Sequence, residues 1–224
     1  MVITYMGAEF FKVQFGDITL AFNPISKDSA LAAKLKPSRF GADIVLVSTY
    51  HEDFNGIDQV TFGDKKPFVV SGPGEYEIKN IFIKGLLSAS NYGGSSINTI
   101  YSVSLENMNI CFLGALNTSE LPDATVEAID GIDILFVPIG GDGVLEPAKA
   151  YKLAVSLEPK IIIPMHYGDM GGKGGVASGA GKDALKAFLK EAGENPAPVA
   201  KLTLKKKDLE GKEGDIVVLE SSGE

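Results

Sequence analysis

Apolar residues open the chain at alternate positions and in short unbroken runs. VITYM, FFKVQF and DITLAF read as three paired strands, with Asp17 in the Phe-Gly-Asp turn between the last two. Residues 29–36 read as a short helix stopped at Pro37. ADIVLVS is a continuous apolar run, hence a buried strand, and PFVVS is another. GPGEYEI combines a Pro-Gly turn with a strand, so at least one of Glu75 and Glu77 should face solvent. IFIKGLLSA follows, then the loop NYGGSSIN. NTIYSVSL and MNICFLGAL flank Glu106-Asn107 as a hairpin.

Helical spacing takes over later. ELPDATVEAI and residues 146–157 read as helices around the buried strand DILFVPI, and IIIPMH is a further buried strand. Residues 168–181 form a glycine-rich loop. Residues 183–192 predict an amphipathic helix with Ala184, Leu185, Phe188 and Leu189 on one face. KLTLKKKDL and DIVVLES predict a closing hairpin at about residues 200–220, joined by a charged, solvated turn. Strands in runs, then strands alternating with helices, fit two sheets packed face to face with helices outside. The expectation is an α/β sandwich with residues 1–224 as a single domain, ENPAPVAK being a connector.

Composition narrows the partners. The net charge of −8 supplies no counterion-release drive towards nucleic acid and no polybasic membrane surface. No apolar run approaches the ~18 residues of a spanning helix. The N-terminus lacks the basic start and cleavage site of a signal peptide. The single cysteine, Cys111, makes no internal disulfide, and its apolar surroundings suit a buried inert thiol. A cytoplasmic protein is expected.

The chain has two histidines, and each ends a buried strand: His51 after DIVLVS and His166 after IIIPM. Asp53 lies two positions beyond His51. Two histidines and a carboxylate can ligate one zinc or iron with open positions, and two histidines can equally cap two strands. Tyr50 and Tyr167 adjoin the histidines and could line a pocket or pack on a strand face. The loop GDMGGKGGVASGAGKDAL lacks the Walker spacing, with Val176 at the first glycine position and Asp183 after Lys182. It reads as a flap that could offer N–H groups and Lys173 to an anion.

The order of these segments resembles the metallo-β-lactamase superfamily. VITYMGAEFFKV is similar to the family's opening strands, and ADIVLVSTYHEDFNG to its strand and H-x-H-x-D-H loop. SGPGEYEI, GGSSINTIY, NICFLGAL, DILFVPIGG and EPKIIIPMHYG complete the series. They resemble the branch of predicted metal-dependent hydrolases that includes the ascorbate-phosphate lactonase. The resemblance implies an αββα four-layer sandwich, with a dinuclear site at one edge between the sheets. It implies His51 on one metal, and Asp53 and His166 on its neighbour, with Asp53 also orienting an attacking water.

The remaining ligand positions have changed. Thr49 and Phe54 stand where the motif has its first and last histidines, and Ala115 where a bridging aspartate belongs. The next family histidine would fall near residues 88–91, where there is none, and the early Gly-His and Asp-Pro pairs read Gly7-Ala8 and Asn23-Pro24. Such a site needs about five histidines. The expectation is therefore no cofactor, or at most one zinc or iron ion. Two functions follow: a non-catalytic binding or assembly protein, or a one-metal hydrolase of small esters, lactones or phosphoesters. Either would take a small molecule or a protein in the edge cleft, and oligomerisation is left open.

Overall fold

The computed structural model describes residues 1–168 and 180–222. The glycine-rich loop, including Lys173, falls almost wholly outside the described residues, and so does its expected role as an anion-binding flap.

The opening strands β1 (Val2–Gly7), β2 (Phe10–Phe15) and β3 (Ile18–Phe22) pair antiparallel through tight turns. Helix α1 (Ala30–Leu35) then carries the chain across to β4 (Ile44–Leu46), parallel to β3, and β5 (Phe68–Val70) adds parallel to β4. Ser29 starts α1: its Oγ accepts the Leu31 N–H at 3.0 Å. The helix ends because Lys36 turns left-handed at φ 41°, one residue before Pro37.

The second sheet begins with β6 (Gly74–Ile78), β7 (Ile81–Ala89), β8 (Ile97–Leu105) and β9 (Met108–Phe112), all antiparallel, the last two being the predicted hairpin. Glu75 and Glu77 share the exposed face of β6. Helices α2 (Asp123–Ala128) and α3 (Pro147–Ser156) then link β9 to β10 (Ile134–Pro138) and β11 (Ile161–Met165), which run parallel. Helix α4 (Ala180–Ala192) buries Ala184, Phe188 and Leu189 as its periodicity requires.

Alternation along each strand sorts the apolar residues into three layers of core. Ile3, Phe11, Phe22 and Leu46 of the first sheet meet Phe112, Phe136 and Ile163 of the second in the middle. The intervening residues Phe10, Ala21 and Val45 face outward onto Leu31 of α1. Leu135, Val137 and Ile162 face outward onto Ala150 and Leu153 of α3 and Phe188 of α4. The central strands are thus buried on both faces, which explains their unbroken apolar runs. Phe11 and Phe136 meet edge to face with centroids 4.6 Å apart. The architecture is the expected αββα sandwich.

The closing hairpin is corrected. β12 (Leu202–Thr203) pairs antiparallel with β1 in the first sheet, and β13 (Asp215–Ile216) pairs parallel with β11 in the second. Two adjacent short apolar stretches look alike in sequence. Here each finds a separate open sheet edge instead of its neighbour. Among the described residues, no helix is long and apolar enough to cross a membrane.

Each sheet carries the same device at one end. Asp43, just before β4, accepts the Thr19 N–H at 2.9 Å, Lys65 at 2.8 Å and Lys79 at 2.6 Å. Asp133, just before β10, accepts the Asn109 N–H at 2.9 Å and both Lys160 and Lys206 at 2.7 Å. Lys79 comes from the turn between β6 and β7, so the Asp43 latch ties one sheet to the other. Burial pushes the Asp43 carboxyl up, but Lys65, Lys79 and the Thr19 N–H outweigh it and hold it at about 2.

A depressed folded-state pKa stabilises above the unfolded value of about 3.9 and loses that contribution as pH falls through the folded value. The stability difference between the wild type and Asp43→Asn, from denaturant melts, should be constant above about pH 5 and shrink steadily towards pH 2. A difference that does not change with pH would rule out the ion pairs as its source.

Candidate functional site at the strand ends

The ends of β4 and β11 opposite these latches bring the two histidines together. Val47 and Ser48 continue from β4, and the chain then turns through residues 49–56 to place His51, Asp53 and Phe54. His166 follows β11 directly, with a left-handed φ of 61°, and its N–H donates to the Ala8 carbonyl at 2.7 Å. His51, Asp53 and His166 therefore converge, as their positions at strand ends suggested.

A tyrosine stands between the histidines. Tyr92 packs edge to face against His51 and against His166, with ring centroids 5.1 Å apart in both cases. Its hydroxyl donates to Asp53 Oδ2 at 2.5 Å, and Ser29 Oγ donates to Asp53 Oδ1. Phe54 lies 4.8 Å from the Tyr92 ring, and these two form a sealed apolar cluster with Ala115 and Val144. Burial, and then the adjacent Asp53 carboxylate, push the Tyr92 phenol far above its ordinary pKa, so it remains a donor.

Thr49, Phe54, Ala115, Ala8 and Asn23 are all built into the packing and hydrogen bonds of the loop region. Thr49 Oγ1 donates to Asn98 Oδ1 at 3.1 Å, and the Ala115 N–H donates to the same oxygen at 2.9 Å. Asn98 is itself fixed by donating to Ser88 Oγ and the Leu113 carbonyl, both at 2.8 Å. Phe54 fills space. Ala8 supplies a backbone carbonyl to His166, and Asn23 holds the β4 end by accepting the Ser48 N–H at 2.8 Å.

Beneath the tyrosine lies a buried polar pair. Glu9 and His166 are both fully buried, with Glu9 Oε1 2.6 Å from His166 Nδ1. Glu9 Oε2 accepts from Asn23 Nδ2 at 2.7 Å, and the same amide donates to Ser48 Oγ at 2.8 Å. His166 Nε2 is buried without a hydrogen-bond partner.

These donors do not fit a metal centre as they stand. Asp53 spends both oxygens on hydroxyls. His51 Nδ1 accepts the Asp53 N–H at 3.2 Å. Gly93 closes over His51 Nε2, so tightly that a Cβ there would come within 2.4 Å. Among the described residues His166 Nε2 has no hydrogen-bond partner, and the Tyr92 ring packs edge to face against that imidazole. Among the described residues, no group of three or more histidine, cysteine or acidic side chains is arranged to hold a metal.

Tyr50 and Tyr167 do not share a pocket. Tyr50 is 89% exposed at the rim of a cleft of about 530 Å³ formed with Ser71, Gly72 and the loop of residues 93–97. Tyr167 lines a separate cleft with Tyr5, Leu35 and Leu219, and its hydroxyl donates to the Leu219 carbonyl at 3.0 Å. Sequence reasoning missed Glu9, Ser29, Asn98 and the role of Tyr92. A charged Glu9 inside the apolar run GAEFF was a usable signal; nothing local to Tyr92 marked it.

Two sheets with helices on both outer faces, and a histidine-bearing loop at their converging edge, are the architecture of a metallo-beta-lactamase-type sandwich. The chain belongs to the beta-lactamase superfamily, whose domain model matches residues 2–166. It is 27% identical over 195 residues to a UPF0173 metal-dependent hydrolase of Carboxydothermus hydrogenoformans, covering 75% of this chain and 84% of that protein. A UPF0173 metal-dependent hydrolase of Lysinibacillus sphaericus is 24% identical over 197 residues, with 75% and 85% covered. A Thermotoga maritima member of the metallo-beta-lactamase superfamily superposes with TM-score 0.73 at 27% identity, over 97% of each chain. A metallo hydrolase from Ignicoccus hospitalis shares the fold at 15% identity, with TM-score 0.63 and 100% and 96% of the two chains covered.

Removing Glu9 should undo the polar base of the site. Glu9→Ala leaves the Asn23 amide and His166 Nδ1 without their acceptor, and denaturant melts are expected to show a loss of about 3–5 kcal/mol. Glu9→Gln, which keeps hydrogen-bonding atoms at both positions, should lose clearly less. Equal losses would assign the effect to packing.

Proposed function

We propose that this chain is a metal-free, non-catalytic member of the superfamily that acts by binding. The observation that carries the reading is the Tyr92 ring, wedged between His51 and His166 with its hydroxyl on Asp53. A metal-dependent hydrolase needs open coordination positions for water and substrate. In this site aromatic packing stands in that space, and Asp53 Oδ2 holds the ring in place while Oδ1 is taken by Ser29. The coordinated changes at Thr49, Phe54 and Ala115, each built into the packing and hydrogen bonds of the loop region, support the same reading. The shared fold does not by itself carry the relatives' chemistry across.

One observation favours the alternative, a hydrolase of small esters, lactones or phosphoesters with a single zinc or iron. His166 Nε2 is buried without a partner, and relatives are named metal-dependent hydrolases. In that case Tyr92 would have to leave before His51, Asp53 and His166 could serve as ligands.

Elemental mass spectrometry decides between them. Protein purified without chelator or histidine tag should contain almost no metal, and should still contain almost none after zinc or iron is offered and the excess removed. About one ion per chain, lost in His166→Ala, would overturn the proposal. A companion variant combining Thr49→His, Phe54→His, Tyr92→Ala and Ala115→Asp should gain zinc, because it restores donors and empties the space together.

A further inference from the structure

We propose that the cleft beside Tyr50 binds a small uncharged carbohydrate, a mono- or disaccharide. This rests on the binding reading above and names its ligand class. The cleft lies where Val47 and Ser48 leave β4 and Ser71 and Gly72 leave β5, two parallel strands of the first sheet. Ligands of α/β proteins collect at the carboxyl ends of parallel strands. Its volume of about 530 Å³ lies in the range of small-molecule sites.

The lining selects the chemistry. None of the described residues that line the cleft is acidic, basic or histidine. A phosphate or carboxylate would find no cation there, and a chain of net charge −8 repels anions at long range. The walls offer instead the hydroxyls of Ser71, Ser95 and Ser96. A hydroxyl both donates and accepts, as each hydroxyl of a sugar also does, so the two sets can satisfy one another without fixed charge.

Sugars also carry an apolar C–H face. Tyr50, 89% exposed, holds a large flat ring at the rim, and Ile97, 57% exposed, also lines the cleft. An aromatic ring covered on one face by such a ligand gains apolar burial and keeps its hydroxyl in water.

The floor is already rigid. Tyr101 donates to the Val47 carbonyl at 2.8 Å and accepts the Gly72 N–H at 2.9 Å, fixing the ends of β4 and β5 together. The Thr99 N–H donates to the Ser48 carbonyl at 2.8 Å, joining the first sheet to the second. Little ordering remains to oppose binding. Gly93 separates the cleft from His51 by backbone alone, so the ligand would sit against the loop that carries Tyr92.

The test is calorimetry with glucose, galactose, mannose, ribose, N-acetylglucosamine and maltose, beside glucose 6-phosphate and inorganic phosphate, on protein of measured metal content. At least one neutral sugar should bind with a Kd below about 10 mM, and more tightly than either anion. Tyr50→Ala should weaken it at least ~10-fold, and Ser96→Trp, which fills the cleft from an exposed position, should abolish it. Phe82→Ala, on the exposed face of β7, should leave it unchanged.

Absence of binding by every neutral sugar overturns the proposal. So does binding that Tyr50→Ala and Ser96→Trp leave intact, and so does preference for the phosphates. Metal-free protein that binds no sugar sinks the ligand class and leaves the binding reading standing. Stoichiometric metal sinks the binding reading, while the sugar titration still decides the cleft.

Discussion

A carboxylate and an imidazole, both sealed from water, meet where the two sheets converge. Burying such a pair costs several kcal/mol per charged group unless every lone pair and proton is matched. Both oxygens of the Glu9 carboxylate have a partner, one facing His166 Nδ1 and the other accepting from Asn23, which offsets much of that cost. The pair can form only if the turn after β1, the end of β3 and the end of β11 arrive together. Asn23 then passes the constraint on to Ser48, and the Ser48 carbonyl passes it to Thr99 on β8. The loop bearing His51 and Asp53 leaves from that fixed point. The site geometry is thus a consequence of one desolvated contact and the hydrogen bonds that make it tolerable.

Above that base the site has exchanged one kind of cohesion for another. A dinuclear centre holds its loops together by coordinating several side chains to two cations. Here the loops are held by Tyr92 and Phe54, buried at 2% and 0% exposure, and by the shared oxygen of Asn98. Each large aromatic contributes about 1.5–3 kcal/mol by leaving water. Asp53 keeps a structural purpose, because its two hydroxyl partners join the start of α1 to the Tyr92 loop. The cleft beside it, neutral and rich in hydroxyls, remains open.

The ends of the sandwich divide the labour. The Asp43 and Asp133 latches each gather two lysines and a neighbouring strand's N–H around a buried carboxylate. They pin strand starts on the side away from the histidines.

The order of strands and helices was legible in the sequence because it depends on local periodicity. Alternation marked β1 to β3, unbroken apolar runs marked β4, β10 and β11, and helical spacing marked α3 and α4. The count of two histidines, each at the end of a strand, was legible too. Local pattern says nothing about which distant residue will fill a vacated space. Tyr92 reaches Asp53 across 39 positions, and Asn98 joins Thr49 to Ala115 across 49 and 17. The closing segments went to opposite sheets because each met an open edge that exists only after the sandwich has assembled. Periodicity within the chain determined the elements; the contacts that close the site arise only when both sheets are in place, and the tertiary structure alone decided them.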